Sequence, residues 1–331
     1  MDGYNRILIV DGLNTYMRAY AANPSMSTNG IHIGGIVGTL KILQKVFREV
    51  KPTRVVIAWD GAGGSKKRKQ INKDYKSGRK PIRLNRSHNL CSEDQEKEGR
   101  IRQHLRLVEY FNYMPFKQII ADGVEADDLI SWVCQSHLCE EWQKVILSND
   151  KDFFQILDHC TVLIRPSSDK PLTARSVIDE YGIHPNNFAL ARAISGDRSD
   201  NLKGIKGVGL KTVANKFPFL KEDTLHPIEY IVQYCKDNYQ GYKTLERVAE
   251  GKKIIKNNYD IMQLYSPSIS FQTTQTLKEE LKSKRLMNNQ SGIKKMLVQD
   301  GIFGVNFDEL FASLNRIERN ERYLSELRKV R

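Results

Sequence analysis

The amino-acid sequence predicts an α/β fold built on a parallel sheet, and three observations carry that expectation. Short apolar runs rich in Ile and Val recur along the first half of the chain, each leading into an acidic segment. ILIV leads into Asp11, RVVIAW into Asp60, KQIIADG into the stretch around Glu125 and KVILSN into Asp150. Each run lacks helical spacing and is apolar throughout, as a strand buried on both faces requires. Longer amphipathic stretches separate the runs. In GIVGTLKILQKVFREV, for instance, Ile36, Leu40, Leu43, Val46, Phe47 and Val50 fall on one helical stripe. Strands alternating with helices imply parallel pairing, and in such sheets function gathers beyond the carboxyl ends of the strands. Strand ends far apart in sequence are therefore expected to bring their carboxylates together.

The remaining elements follow in order. Residues 61 to 100 are long, polar and poor in apolar periodicity, which reads as an excursion from the sheet. After about residue 185 the strand signal fades and helical patterns take over: ALARAISGD, LKTVANKF and ERVAEGKKIIKNNYDIMQLY. The final stretch, FDELFASLNRIERNERYLSELRKVR, alternates charge and reads as an exposed, solubilising terminal helix.

Composition narrows the function. The chain has 331 residues, 27% of them charged, and a formal net charge of +13. Ten basic residues between Lys66 and Arg86 face one acidic residue, Asp74, so this segment alone carries +9 of the total. Such a local excess points to a polyanionic partner, nucleic acid first, with a solvated charge run as the plainer alternative. Five cysteines without a CxxC pair suit reduced thiols, and the apolar surroundings of Cys134, His137 and Cys139 argue against zinc there. The start MDGYNRILIVDG has no secretory pattern, and no run approaches membrane-spanning length. The expectation is a soluble, cytoplasmic protein without a membrane partner.

The candidate chemistry lies in nine carboxylates: Asp11, Asp60, Glu125, Asp127, Asp128, Asp150, Asp152, Asp197 and Asp200. Taken singly, each has a structural explanation, because Asp suits turns and helix starts. Packed together they would repel one another unless a cation intervenes. Oxygen-only ligation favours Mg²⁺, with Mn²⁺ as substitute. Two such ions roughly 4 Å apart can serve the two sides of a phosphodiester. Two residues after GDRSDN comes GIKGVGLKT, where Gly204, Gly207 and Gly209 permit a tight hairpin at a helix start, with Lys206 and Lys211 beside it. That run reads as a phosphate-binding element.

The ordered blocks IVDG, AWDG, DYKSGR, GVEADD, SNDKDF, GDRSDN and GIKGVGLKT, from residue 7 to about 216, resemble the 5′-nuclease (flap endonuclease) superfamily. The likeness is greatest to the phage enzymes, including the free-standing ribonuclease H type, and to the 5′-nuclease domain of bacterial DNA polymerase I. The resemblance implies a PIN-like parallel-sheet nuclease core over residues 1–190, with an arch segment at 61–100. It implies a helix-hairpin duplex-binding region over 191–262, which leaves a C-terminal helical region over 263–331.

Carried over block by block, Asp11, Asp60, Asp128 and Asp150 would hold a first metal ion, with Glu125 and Asp127 in or just behind that shell. Asp152, Asp197 and Asp200 would hold a second. Lys76 and Arg79 match the basic pair that faces the scissile phosphate, Tyr75 would stack on a terminal base, and Arg68 and Lys80 would touch the backbone. Gly207, Gly209, Lys211 and Thr212 match the hairpin that grips duplex DNA, where the family often carries a monovalent cation such as K⁺.

The implied activity is Mg²⁺-dependent 5′-3′ exonuclease and flap endonuclease action by in-line attack of water, removing RNA primers and 5′ flaps. The implied partners are DNA with a 5′ flap or nick, RNA–DNA hybrid, and a single-strand-binding protein or other replication machinery. The chain would act as a monomer. The rival readings are a PIN-type ribonuclease acting on RNA alone and a catalytically silent DNA-junction binder.

Overall fold

The computed structural model describes residues 5–79, 92–168, 170–239, 241–283 and 287–330. Five strands form one parallel sheet: β1 (Arg6–Asp11), β2 (Arg54–Ala58), β3 (Lys117–Ile119), β4 (Gln143–Leu147) and β5 (Thr161–Ile164), in the order β3-β2-β1-β4-β5. The chain builds outward from β1 to β3 on one side, then returns across β1 to lay down β4 and β5 on the other. This reversal opens a crevice at the carboxyl ends of β1 and β4. Four strands match the expected runs. The fifth, TVLI, escapes the pattern because it is short and leads to Arg165 and not to a carboxylate.

Helices α1 (Gly12–Ala22) and α2 (Gly34–Val50) connect β1 to β2, α3 (Lys66–Ile71) and α4 (Glu93–Asn112) connect β2 to β3, and α5 (Ala126–Gln135) leads to β4. After β5 the chain is almost wholly helical. First come α6 (Ala174–Tyr181), α7 (Pro185–Ser195) and α8 (Leu210–Lys216), with a two-residue ribbon, β6 (Gly196–Asp197) and β7 (Leu202–Lys203), between the last two. Then follow α9 (Ile228–Asp237), α10 (Lys243–Glu250), α11 (Lys252–Met262), α12 (Phe271–Lys282), α13 (Gln290–Gln299) and α14 (Phe307–Val330).

The continuous apolar strands serve two cores at once. Ile7, Ile9, Val56 and Ala58 face α5, α7 and the later helices, whereas Leu8, Val10, Val55 and Ile57 face α1, α2, α4, α13 and α14. The first core runs without interruption from the sheet to Val213, Ile255 and Leu281, so the helical region is packed directly onto the sheet. The 190/191 boundary expected between nuclease core and hairpin region falls inside α7.

The terminal helix corrects the expectation of a merely solubilising face. Leu310, Phe311, Leu314 and Ile317 are buried against the second core, on an i, i+4, i+7 stripe that the interleaved charges conceal in the sequence. One of those charges is itself buried. Arg54 of β2 donates through Nε to Glu321 Oε2 at 2.9 Å and lies over the Trp142 ring at 5.1 Å.

In the basic segment, α3 is followed by turns to residue 79; residues 80–91, which include Lys80, lie outside the described residues. The far side begins at Ser92, whose hydroxyl accepts from Gln95 N at 3.2 Å while Gln95 Oε1 accepts from Ser92 N at 2.9 Å, a capping box that starts α4.

Candidate active site at the carboxyl ends of the strands

The expected carboxylates arrive from several separate elements. Asp11 ends β1 and caps α1, accepting from Asn14 N at 3.1 Å and from Ser148 Oγ at 2.9 Å, and it is buried. Asp60 follows β2 and accepts from Ala126 N at 2.8 Å, which fixes the start of α5 beside it. Glu125 is the N-cap residue of α5, and Asp127 and Asp128 stand in its first turn. Asp150 follows β4, and its Oδ1 accepts from Asp152 N at 2.9 Å. Asp197 and Asp200 come from the small ribbon after α7.

The chain supplies its own cations to part of this set. Arg68 of α3 contacts Glu125 and lies 3.1 Å from Asp128 Oδ2. Lys76 Nζ donates to Glu125 Oε1 at 2.7 Å, and the Tyr75 hydroxyl donates to Glu125 Oε2 at 3.1 Å. Arg79 bonds Asp200 and donates through Nε to the Ser199 carbonyl at 3.1 Å. Arg192 of α7, buried in the core, bridges Asp152 Oδ1 at 2.9 Å and Asp197. Asp11, Asp60, Asp127 and Asp150 have no such partner among the described residues.

The electrostatics follow this division in part, with Asp152 as the exception. Burial, reinforced by Asp127 and Asp150, pushes the Asp11 carboxyl well above its ordinary range. Burial and then Asp150 push Asp127 up to about 7, against the pull of Lys76 and Arg68. Asp152 is also raised, by burial, although Arg192 opposes it. For Asp197 burial likewise pushes upward, but Arg192 and the Ser199 hydrogen bonds outweigh it and hold the group below its usual value. Buried carboxylates that raise one another are a donor set whose repulsion a hard cation would relieve. Among the described residues no three metal-ligating side chains form a ready-made cage. The fit to a divalent ion therefore rests on the chemistry and burial of the donors.

Two expected nucleic-acid contacts need correction. Tyr75 is 2% exposed, packed with Leu202, Ile261 and Met262, so its ring has no open face for a base. Arg68, expected on a phosphate, is buried and spends its guanidinium on Glu125, Asp128 and the Ile261 carbonyl, the last at 2.9 Å from Nε. Both residues build the site from behind. Lys76 itself has φ +57, an uncommon backbone for a side-chain-bearing residue, and its N–H donates to the Asp200 carbonyl at 2.9 Å. The basic segment is thus fastened to the carboxylates of the ribbon.

Arg192 and Ser148 were not anticipated. An arginine within the apolar run ALARAIS is the available signal for the first, because a charge on a buried helix face needs a partner within reach. Ser148 carries no comparable signal, being one small polar residue at a strand end.

The hairpin lies between the ribbon and α8. Gly207 has φ +77, the left-handed region that favours glycine, and Gly209 is the N-cap residue of α8. Lys206, Lys211 and Thr212 flank this turn, and Ile205 and Val208 anchor it in the first core.

A family model described as the 5′-3′ exonuclease, N-terminal resolvase-like domain, matches residues 6–182. A 5′-3′ exonuclease of Aquifex aeolicus is 29% identical over 214 residues, covering 63% of this chain and 68% of the relative. The flap endonuclease Xni of a Shewanella species is 28% identical over 261 residues, covering 78% and 90% respectively. Among solved structures, the bacteriophage T5 flap endonuclease in a pseudo-enzyme-product complex with DNA and metal ions shares the fold, with a TM-score of 0.61 at 15% identity over 95% of this chain and all of the other. The chain belongs to the 5′-3′ exonuclease family defined by this resolvase-like N-terminal domain.

Proposed function

We propose that this nuclease is a Mg²⁺-dependent, structure-specific phosphodiesterase that cuts 5′ flaps and RNA primers from duplex ends. The observation that carries the reading is the meeting of Lys76 and Arg79 of the basic segment with Glu125 and Asp200 of the carboxylate set, just before a glycine hairpin. Asp11, Asp60, Asp128 and Asp150, backed by Glu125 and Asp127, would hold one divalent ion, and Asp152, Asp197 and Asp200 another. Bound there, divalent ions supply charge neutralisation for the phosphodiester and a more acidic water.

The chain's residues do the rest. Ser148 and Asn14 hold Asp11 in position, and Arg68 fixes Glu125 and Asp128 at the start of α5. Lys76 and Arg79 exchange their carboxylate partners for the oxygens of the scissile phosphate, stabilising charge that grows toward the transition state. The hairpin residues Lys206, Gly207, Gly209, Lys211 and Thr212 hold the duplex. Lys80 would add a backbone contact.

The substrates are DNA with a 5′ flap or nick and RNA–DNA hybrid, and the enzyme acts as a monomer alongside the replication machinery. No helix among the described residues is long and apolar enough to cross a membrane. The test is to incubate the protein and Mg²⁺ with 5′-flap, blunt-duplex, RNA–DNA hybrid and single-stranded RNA substrates. Cleavage of flap and hybrid near the junction supports the reading. Cleavage of single-stranded RNA alone would replace it with a ribonuclease, and duplex binding without any cleavage with a silent junction binder.

A further inference from the structure

A half-buried cation beside the hairpin, outside the carboxylate site, has no counter-ion among the described residues. Arg247, on α10, is half-buried, and among the described residues no carboxylate pairs with it. Its Nε donates to the Lys243 carbonyl one turn earlier at 3.0 Å, which lays the side chain along the helix. Its Nη1 donates to the Lys206 carbonyl, in the hairpin, at 2.7 Å. A Cβ at Gly207 would stand 3.3 Å from Nη1 and 3.9 Å from Nη2, so the guanidinium edge lies against the hairpin backbone. The two elements are held in fixed relation. Leu245 and Val248 anchor α10 in the core, and a Cβ at Gly251 would come within 2.1 Å of Ile205 Cδ1. Beyond Gly207 the surface opens, since a Cβ at Gly209 would meet nothing within 4 Å.

A guanidinium has five N–H donors, and the two contacts described leave others for an incoming acceptor. Its flat fork suits phosphate oxygens, and Lys206, Lys211 and Lys243 lie close by in sequence or contact. We propose that Arg247 is the hairpin's own cation: it clamps the Lys206 carbonyl and presents its remaining N–H groups to a backbone phosphate of the bound duplex. A monovalent ion liganded by the same carbonyl would stand beside a full positive charge, and at a separation of a few ångströms that repulsion is severe. The family's alkali-metal ion therefore does not fit at Lys206 in this chain. The inference rests on the duplex-binding reading and adds to it which group provides the charge.

The test is equilibrium binding of a 5′-flap duplex by fluorescence anisotropy with EDTA present, across a salt series in KCl and again in LiCl. The wild-type protein should bind with the same affinity in both salts to within about twofold. Arg247→Gln keeps a donor for the Lys206 carbonyl but loses the charge. It should weaken binding about tenfold and lower the slope of log K against log salt by about one, the signature of one lost phosphate contact. Arg247→Lys should recover most of the slope. A structural clamp alone would leave the slope of Arg247→Gln at the wild-type value, and that result overturns the proposal, as does a wild-type affinity that needs K⁺. Failure of the wild-type protein to bind any duplex would be a different result, sinking the nuclease reading itself.

Discussion

The nine carboxylates divide into two groups that differ in who neutralises them. In the first, Asp11, Asp60, Asp127 and Asp150 have no ion-pair partner among the described residues, and Asp11, Asp60 and Asp150 accept hydrogen bonds only. In the second, Glu125, Asp128, Asp152, Asp197 and Asp200 are paired by Arg68, Lys76, Arg192 and Arg79. Asp11 and Asp127 are pushed up by burial and by their neighbours, and Arg192 overcomes burial to hold Asp197 down, whereas burial keeps Asp152 raised despite the same arginine. A divalent ion arriving at the first group meets uncompensated charge. One arriving at the second must displace Arg79 or share its ligands with Arg192. The two proposed metal positions should therefore differ in affinity, the one that contains Asp11, Asp60 and Asp150 filling first.

The largest expected effect breaks the first group. Asp150→Asn should abolish flap cleavage in Mg²⁺ while duplex affinity, which comes from the basic surface, stays within about threefold. Near-normal turnover would remove Asp150 from the site. Next comes the basic segment that serves the second group. Lys76→Ala should lower the single-turnover rate at saturating enzyme by about 100-fold, the scale of one preorganised electrostatic contact, with modest loss of binding. If affinity falls and the saturated rate holds, Lys76 only attracts the strand.

The sheet and the carboxylates were legible because both follow from short patterns. A fully apolar run ending in Asp reports a buried parallel strand and the carboxylate at its carboxyl end together, and Asp11, Asp60 and Asp150 stand at the ends of β1, β2 and β4. What the sequence hid were partners set by tertiary packing. Tyr75 and Arg68 sit in a polar, basic segment that reads as exposed, yet Leu202, Ile261 and Met262 close over Tyr75, and Glu125 and Asp128 draw Arg68 inward. Helix α14 misled for the related reason that its apolar stripe is narrow and its charges numerous. The Arg54–Glu321 pair shows what a chain-supplied counter-ion is worth away from the site. Glu321→Ala strands a buried guanidinium and should cost about 3 kcal/mol in urea unfolding, and a cost near zero would mean that α14 is not docked as described.

The smallest effect has the opposite sign. Asp127→Asn removes a half-buried carboxylate that desolvation and Asp150 disfavour, so with EDTA present the variant should melt about 3 °C above the wild-type protein at pH 8. Added Mg²⁺ should raise the wild-type melting temperature more than that of the variant. A lower melting temperature in EDTA would mean that Asp127 is stabilised by a partner other than a metal ion.

The division itself can be measured without substrate or turnover. Titration of Mn²⁺ into the protein, with free ion followed by electron paramagnetic resonance, should show one ion bound more tightly than any other. Asp11→Asn should lose that ion, and Asp197→Asn should keep it. Equal loss in both variants, or none in either, would contradict the claim that the unpaired strand-end carboxylates form the primary cation site.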